Sequence, residues 1–229
     1  MLIAHAFSLA GGSATEAVHV STKAVYKTNT GAASHTFARA MTRASGANRF
    51  LELTISTEGN PAPTISSVTY NGVSMVFVAG VTDDEATDNR VEKWALRGAS
   101  LPGDTSNHDI VVTPSASVGL VAWAVEYDGI GSVTPEWTDT SVADPTPNQL
   151  SGISSAGALV TDGVCANAGS PNFTPGAGQT LRGDADNTNW SLGVSDKVGV
   201  AAGTVTMDQT VGTSGERIAY LAVSYPKAA

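Results

Sequence analysis

Cysteine is nearly missing: Cys165 is the one thiol in 229 residues, so no intramolecular disulfide forms and packing alone must hold the chain together. It stands in the apolar run Gly157-Ala158-Leu159-Val160-Thr161-Asp162-Gly163-Val164-Cys165-Ala166, where a small buried hydrophobe is expected rather than a reactive thiol. A chain without disulfides fits the cytosol and equally a protein assembled in a cell and released later. Basic residues are scarce as well. The 12 Lys and Arg stand against 21 acidic residues, for a net charge of -9 and a pI near 4.7. Nucleic acid is therefore not an expected partner, because neutralising phosphates takes clustered cations. Long hydrophobic runs are absent: nothing reaches the ~18 apolar residues that span a bilayer, so membrane insertion is not expected. The start, Met1-Leu2-Ile3-Ala4-His5-Ala6-Phe7-Ser8-Leu9-Ala10, has neither the basic flank nor the long apolar centre of a secretory signal peptide. Charged residues reach only 14% of the chain, well below the roughly one quarter usual for soluble domains, and 23 Ser with 26 Thr fill much of the gap.

Helical periodicity is also lacking, and 24 Gly with 10 Pro interrupt the chain throughout. Alternation of period two takes its place. Phe50-Leu51-Glu52-Leu53-Thr54-Ile55 puts Leu51, Leu53 and Ile55 on one face and Glu52 and Thr54 on the other. Similar runs cover 65–70, 73–78, 91–96, 109–113, 118–127, 156–166, 190–198, 204–210 and 217–225, with one or two more before residue 45. That spacing predicts an all-β sandwich. Asn71-Gly72 between two alternating runs predicts a type I′ hairpin turn. Residues 131–155, rich in Pro, Thr, Ser and Asp, read as a long loop. Trp123-Ala124-Val125-Glu126-Tyr127 is echoed by Leu221-Ala222-Val223-Ser224-Tyr225. Two stacked halves would produce the echo, and so would two central strands of one sandwich, which is the preferred reading.

Aromatic residues make up only 6%. Trp94, Trp123 and Phe77 lie beside aliphatic residues on strand faces, so they are expected in the core. Trp137 and Trp190 stand in polar surroundings, where an indole either stacks on a sugar ring or plugs the end of a sandwich. Trp137, Trp190, Asp184, Asp186, Asn187 and Asn189 are the candidate ligand-binding residues. The acidic stretches at 82–89 and 183–187 cluster hard oxygen ligands of the kind calcium takes. Neither has EF-hand spacing, so no metal and no cofactor are expected. Catalytic motifs are missing too: there is no Gly-x-Ser-x-Gly elbow or Walker loop, and His5, His19, His35 and His108 stand in no motif. Glu126, Glu136 and Asp139 are the conceivable pair-forming carboxylates of a glycoside hydrolase. Such a cleft is usually rich in aromatics, so no catalytic residue is assigned and no enzymatic activity is expected.

Several longer pieces follow one another in a telling order: Gly46-Ala47-Asn48-Arg49-Phe50-Leu51-Glu52-Leu53, then Ile65-Ser66-Ser67-Val68-Thr69-Tyr70-Asn71-Gly72-Val73, then Arg90-Val91-Glu92-Lys93-Trp94-Ala95-Leu96, then Val121-Ala122-Trp123-Ala124-Val125-Glu126-Tyr127-Asp128-Gly129. Phe173-Thr174-Pro175-Gly176-Ala177-Gly178-Gln179-Thr180-Leu181 and Glu216-Arg217-Ile218-Ala219-Tyr220-Leu221-Ala222-Val223-Ser224-Tyr225 close the series. Across residues 34–226 the order resembles a β-sandwich accessory domain that recurs in phage-type virion proteins and in secreted bacterial surface proteins. The resemblance implies an all-β, two-sheet antiparallel β-sandwich of jelly-roll type with very little helix over 34–229. Residues 1–33 then form an N-terminal arm or first strands, a docking segment able to add to a partner's sheet edge. The implied function is a non-enzymatic surface module of a phage-like particle, a head spike, fibre or tail accessory protein attached to other virion proteins (capsid, portal or tail) and to host-surface polysaccharide. A purely structural capsid decoration or spike-base protein is the alternative, and a secreted carbohydrate-binding module a second. The missing export signal favours a particle assembled in the cytoplasm, and homo-oligomerisation is left open.

Overall fold

The computed structural model describes residues 16–43, 45–83, 88–143, 148–167, 172–212 and 218–229. The first nine strands are β1 (Val18–Ala32), β2 (His35–Ala40), β3 (Phe50–Gly59), β4 (Ile65–Tyr70), β5 (Val73–Ser74), β6 (Val76–Thr82), β7 (Asp88–Arg97), β8 (Asn107–Pro114) and β9 (Val118–Asp128). They build an inner antiparallel sheet in the order β1-β9-β3-β7-β6 and an outer one in the order β2-β8-β4-β5. The next eight are β10 (Trp137–Ala143), β11 (Asn148–Ser154), β12 (Leu159–Ala166), β13 (Phe173–Pro175), β14 (Thr180–Asn187), β15 (Trp190–Lys197), β16 (Gly203–Val211) and β17 (Ile218–Tyr225). Their sheets run β10-β17-β12-β15-β14 and β11-β16-β13. Among the described residues the second set repeats the first strand for strand, except that β5 has no counterpart. Among the described residues a single 3-10 turn, Gly98–Ser100, is helical.

The four sheets stack in layers. One apolar cluster, with Phe37, Val68, Ile110, Leu53, Ile55 and Trp94, fills the space between the first outer and inner sheets. A second, with Phe50, Val91, Val125, Leu192, Leu221 and Trp190, joins the two inner sheets. A third, with Val164, Ile218, Leu150, Phe173 and Met207, lies under the last sheet. The sequence echo falls on β9 and β17 in register: Tyr127 opposes Phe50 and Tyr225 opposes Leu159. The stacking is symmetric as well, with β1 against β14 and β6 against β10, and β7 against β12 and β3 against β15. The echo is therefore the trace of two stacked halves related by a pseudo-two-fold axis, and the single-sandwich reading gives way to it.

Stacking also changes which faces are buried. Glu52 and Thr54, expected on a solvent face, are 2% and 1% exposed because the second half covers them. Lys93 Nζ donates to Glu52 Oε1 at 2.6 Å and to Thr54 Oγ1 at 3.0 Å, and Thr161 Oγ1 donates to Glu52 Oε2 at 2.8 Å. By strand register Thr161 is the counterpart of Glu52, so the axis passes through this polar centre, where each charge has a partner as burial demands.

Other expectations fare unevenly. Asn71 (φ 51°) and Gly72 (φ 74°) make the expected turn between β4 and β5. The supposed loop at 131–155 holds β10 and β11; both are edge strands, and a half-solvated edge carries too few apolar residues to read clearly. Trp94 is buried and Trp123 packs against the central cluster, but Phe77 is 48% exposed. Of the supposed arm, Val18–Ala32 is an edge strand paired with β9, and residues 1–15 lie outside the described residues, as do 84–87 of the first acidic stretch.

Candidate functional site

The six candidate ligand-binding residues do not converge. Trp137 opens β10 and the other five lie on or beside β14, the opposite edge of the same five-stranded sheet, roughly 19 Å away at ~4.8 Å per strand. Trp190 is 5% exposed in the central cluster and donates its indole N–H to Ser56 Oγ at 3.2 Å, so it offers no face to a sugar. Trp137 lies flat over Gly152, where an added Cβ would sit 2.4 Å from its ring. Its N–H donates to Ser154 Oγ at 2.9 Å, and Ser154 in turn bonds Ser224. The ring closes the edge between the last two sheets, as a plug would. Asn187 is buried and donates to Thr28 O. Asp184 and Asn189 are exposed and Asp186 is half-buried. The stretch 183–187 is strand rather than acidic turn, and among the described residues no group of His, Cys, Asp and Glu is placed to hold a metal ion.

The carboxylates considered for hydrolysis are occupied with backbone. Glu126 is buried and accepts from Ser21 Oγ and from the Thr42 and Arg43 amides. Glu136 accepts from the Ser155 amide and Ser224 Oγ, and Asp139 from the Ser151 amide. Glu126 lies on β9 and Asp139 on β10, in different sheets, with Glu136 just before β10.

Sequence reasoning missed the most elaborate polar cluster. Asp162 on β12 is fully buried beneath the last sheet. Its Oδ1 accepts from the Ser195 amide, Ser195 Oγ and Gln209 Nε2, each at 2.8 Å, and its Oδ2 from Tyr220 OH at 2.9 Å and Gln179 Nε2 at 3.1 Å. Burial wins over these donors and pushes its carboxyl from 3.8 up to about 6. Between the inner sheets, Arg182 clamps Asp196 through two bonds of 2.6 and 2.7 Å, and Tyr127 OH donates to the same carboxylate at 2.9 Å. Burial and the adjacent Asp196 raise the Tyr127 phenol. Burial likewise raises the Cys165 thiol, in keeping with the inert role expected of it. These polar groups are bonded to one another across strands and between layers. In the sequence Asp162 looks like one polar residue in an apolar run, and its donors are brought in from β15, β16, β17 and the turn before β14.

Two features face solvent. The outer face of β11-β16-β13 carries cross-strand pairs of short side chains, Ile153 with Thr204, Ser151 with Thr206 and Thr174 with Thr210, of which Ile153 is 76% exposed. At the other end, Val76 and Phe77 of the edge strand β6 are 46% and 48% exposed, and Val73 of β5 is 39% exposed. Beside Val76 runs a groove of about 270 Å³. No family model matches the chain, and neither does any curated protein or solved structure.

Proposed function

We propose that the chain is a non-enzymatic surface module of a phage-like particle, a structural decoration or spike-base protein held by its neighbours, in which each half is a β-sandwich wound as a jelly roll. The winding is supported by the strand orders β1-β9-β3-β7-β6 and β2-β8-β4-β5, in which successive strands of the first half cross between facing sheets, as two Greek keys require, except at the hairpins β4-β5 and β6-β7. The observation that carries the role is the use made of buried polar groups. Lys93, Glu52, Asp162, Asp196 and Arg182 all bond across strands or layers, which suits a rigid body that is touched rather than a reaction centre. The winding by itself hosts many roles, so these buried bonds carry the reading.

Attachment to host-surface polysaccharide is the second reading, favoured by the hydroxyl-bearing outer face of β11-β16-β13, where short side chains bond sugar hydroxyls at little cost in rotamer entropy. Imaging of particles for density of this chain tests the first reading, and retention of the isolated protein on a glycan array tests the second. Density on the particle with no glycan retention supports decoration. Glycan retention that Thr206→Glu abolishes supports attachment. Absence of both particle density and glycan retention refutes the proposal, and so does release of shortened sugar from a polysaccharide.

A further inference from the structure

The half-buried arginines Arg90 and Arg182 are each clamped to a carboxylate, Glu92 and Asp196, at 2.6 Å. Arg97, equally half-buried at the end of β7, is held differently. Its Nε donates to Ile130 O at 2.6 Å and its Nη2 to Asn48 Oδ1 at 3.0 Å, which uses two of the five N–H donors of a guanidinium and fixes its plane. Nη1 has no partner among the described residues and is open to solvent. A charge partly withdrawn from water without a counter-ion is unfavourable, and an anion that reaches Nη1 removes that cost.

We propose that Arg97 and the groove it lines bind a uronate, the carboxylate-bearing ring of an acidic polysaccharide. The groove holds about 270 Å³ between Val76, Leu96, Arg97, Ser100, Ser132 and Val133. That is below the ~300–1,000 Å³ of pockets for drug-sized ligands and suits one ring of a longer chain. Each part of the lining meets one part of a uronate. The guanidinium fork takes the carboxylate, the Ser100 and Ser132 hydroxyls serve the ring hydroxyls, and Val76, Leu96 and Val133 cover the C–H face. A second cation reinforces the first: Arg49, across the turn Gly98–Ser100, is buried and donates only to the carbonyls of Arg43, Gly46, Leu101 and Pro102, so no carboxylate neutralises it either. The acids that flank these segments in sequence, Asp104 and Asp128, are engaged by His108 and Arg43. With a net charge of -9, the chain attracts an acidic sugar only through a local site of this kind. Such a site rests on the attachment reading and gives it a sugar class, away from the face that carries Thr206.

NMR titration of the full chain with sodium glucuronate tests this, with glucose and inorganic phosphate as comparison solutes. Glucuronate is expected to move the Arg97 Nε–H signal and the amides of Val76, Ser100 and Val133, and to bind more tightly than either comparison solute. Arg97→Gln is expected to weaken glucuronate about tenfold or more. Because Arg97 also ties down Ile130 and Asn48, a second variant leaves it in place: Ser100→Phe fills the groove from an exposed position and is expected to abolish the same shifts. Unchanged β17 amide signals mark an intact fold in both. Absence of glucuronate shifts overturns the proposal, as do shifts that survive both variants. Glucose binding as tightly removes the role of the carboxylate and overturns it too, and phosphate binding as tightly leaves a general anion site in its place. Glycan-array retention that Thr206→Glu abolishes and Arg97→Gln leaves intact overturns this site while the attachment reading stands. Retention of acidic glycans that Arg97→Gln abolishes supports both.

Discussion

Replacing Asp162 by Asn removes a titration that the fold has displaced, and the consequence can be worked out with its sign. Five donors surround the carboxylate, yet burial lifts it from 3.8 to about 6. Between those pH values the native state holds a proton that the unfolded chain has released, so native stability falls as pH rises through this window and levels off above it. At about 1.36 kcal/mol per pH unit the gap amounts to about 3 kcal/mol. The assay is urea unfolding of the wild-type protein and of Asp162→Asn at intervals from pH 4 to pH 8. Subtracting the two curves cancels the other titrating groups, and the wild-type advantage is expected to shrink by about 2 kcal/mol between pH 4 and pH 7, the rest of the gap lying below pH 4. A difference independent of pH means that the carboxyl titrates as it does in the unfolded chain. A difference that grows with pH means that the donors outweigh burial, and either result refutes the reasoning.

Three further outcomes are expected. Lys93→Met leaves Glu52 as a buried charge without its cation and is expected to cost about 3–5 kcal/mol in urea unfolding, with much of the loss recovered when Glu52→Gln is added. Gly152→Ala drives a Cβ to 2.4 Å from the Trp137 ring; the indole must swing outward, lowering stability by about 1–3 kcal/mol and shifting its fluorescence to the red. Asn71→Ala keeps a side chain at φ 51° without the local hydrogen bonding that makes Asn tolerable there, which is expected to cost about 1 kcal/mol and to speed amide exchange at Tyr70 and Val73.

Most strands and the Asn71-Gly72 turn were legible from the sequence, because alternation and turn chemistry act over a few neighbouring residues. The echo between 123–127 and 221–225 already held the duplication, but two strands that look alike do not reveal whether they share a sheet or face each other from separate ones. Pairing decides that, and it joins residues as distant as Phe50 and Tyr127. Leu51-Glu52-Leu53-Thr54 spelled a strand with one wet face, and only the arrival of the second half turned that face into an interior. The same long-range packing took Trp190 out of solvent and left Phe77 in it. It also gathered five donors around Asp162 from four separate stretches of chain. Local chemistry determined where strands form and turn. Which surfaces remain for other molecules was decided by how the finished sheets stack, because burial belongs to pairs of faces and not to any single segment.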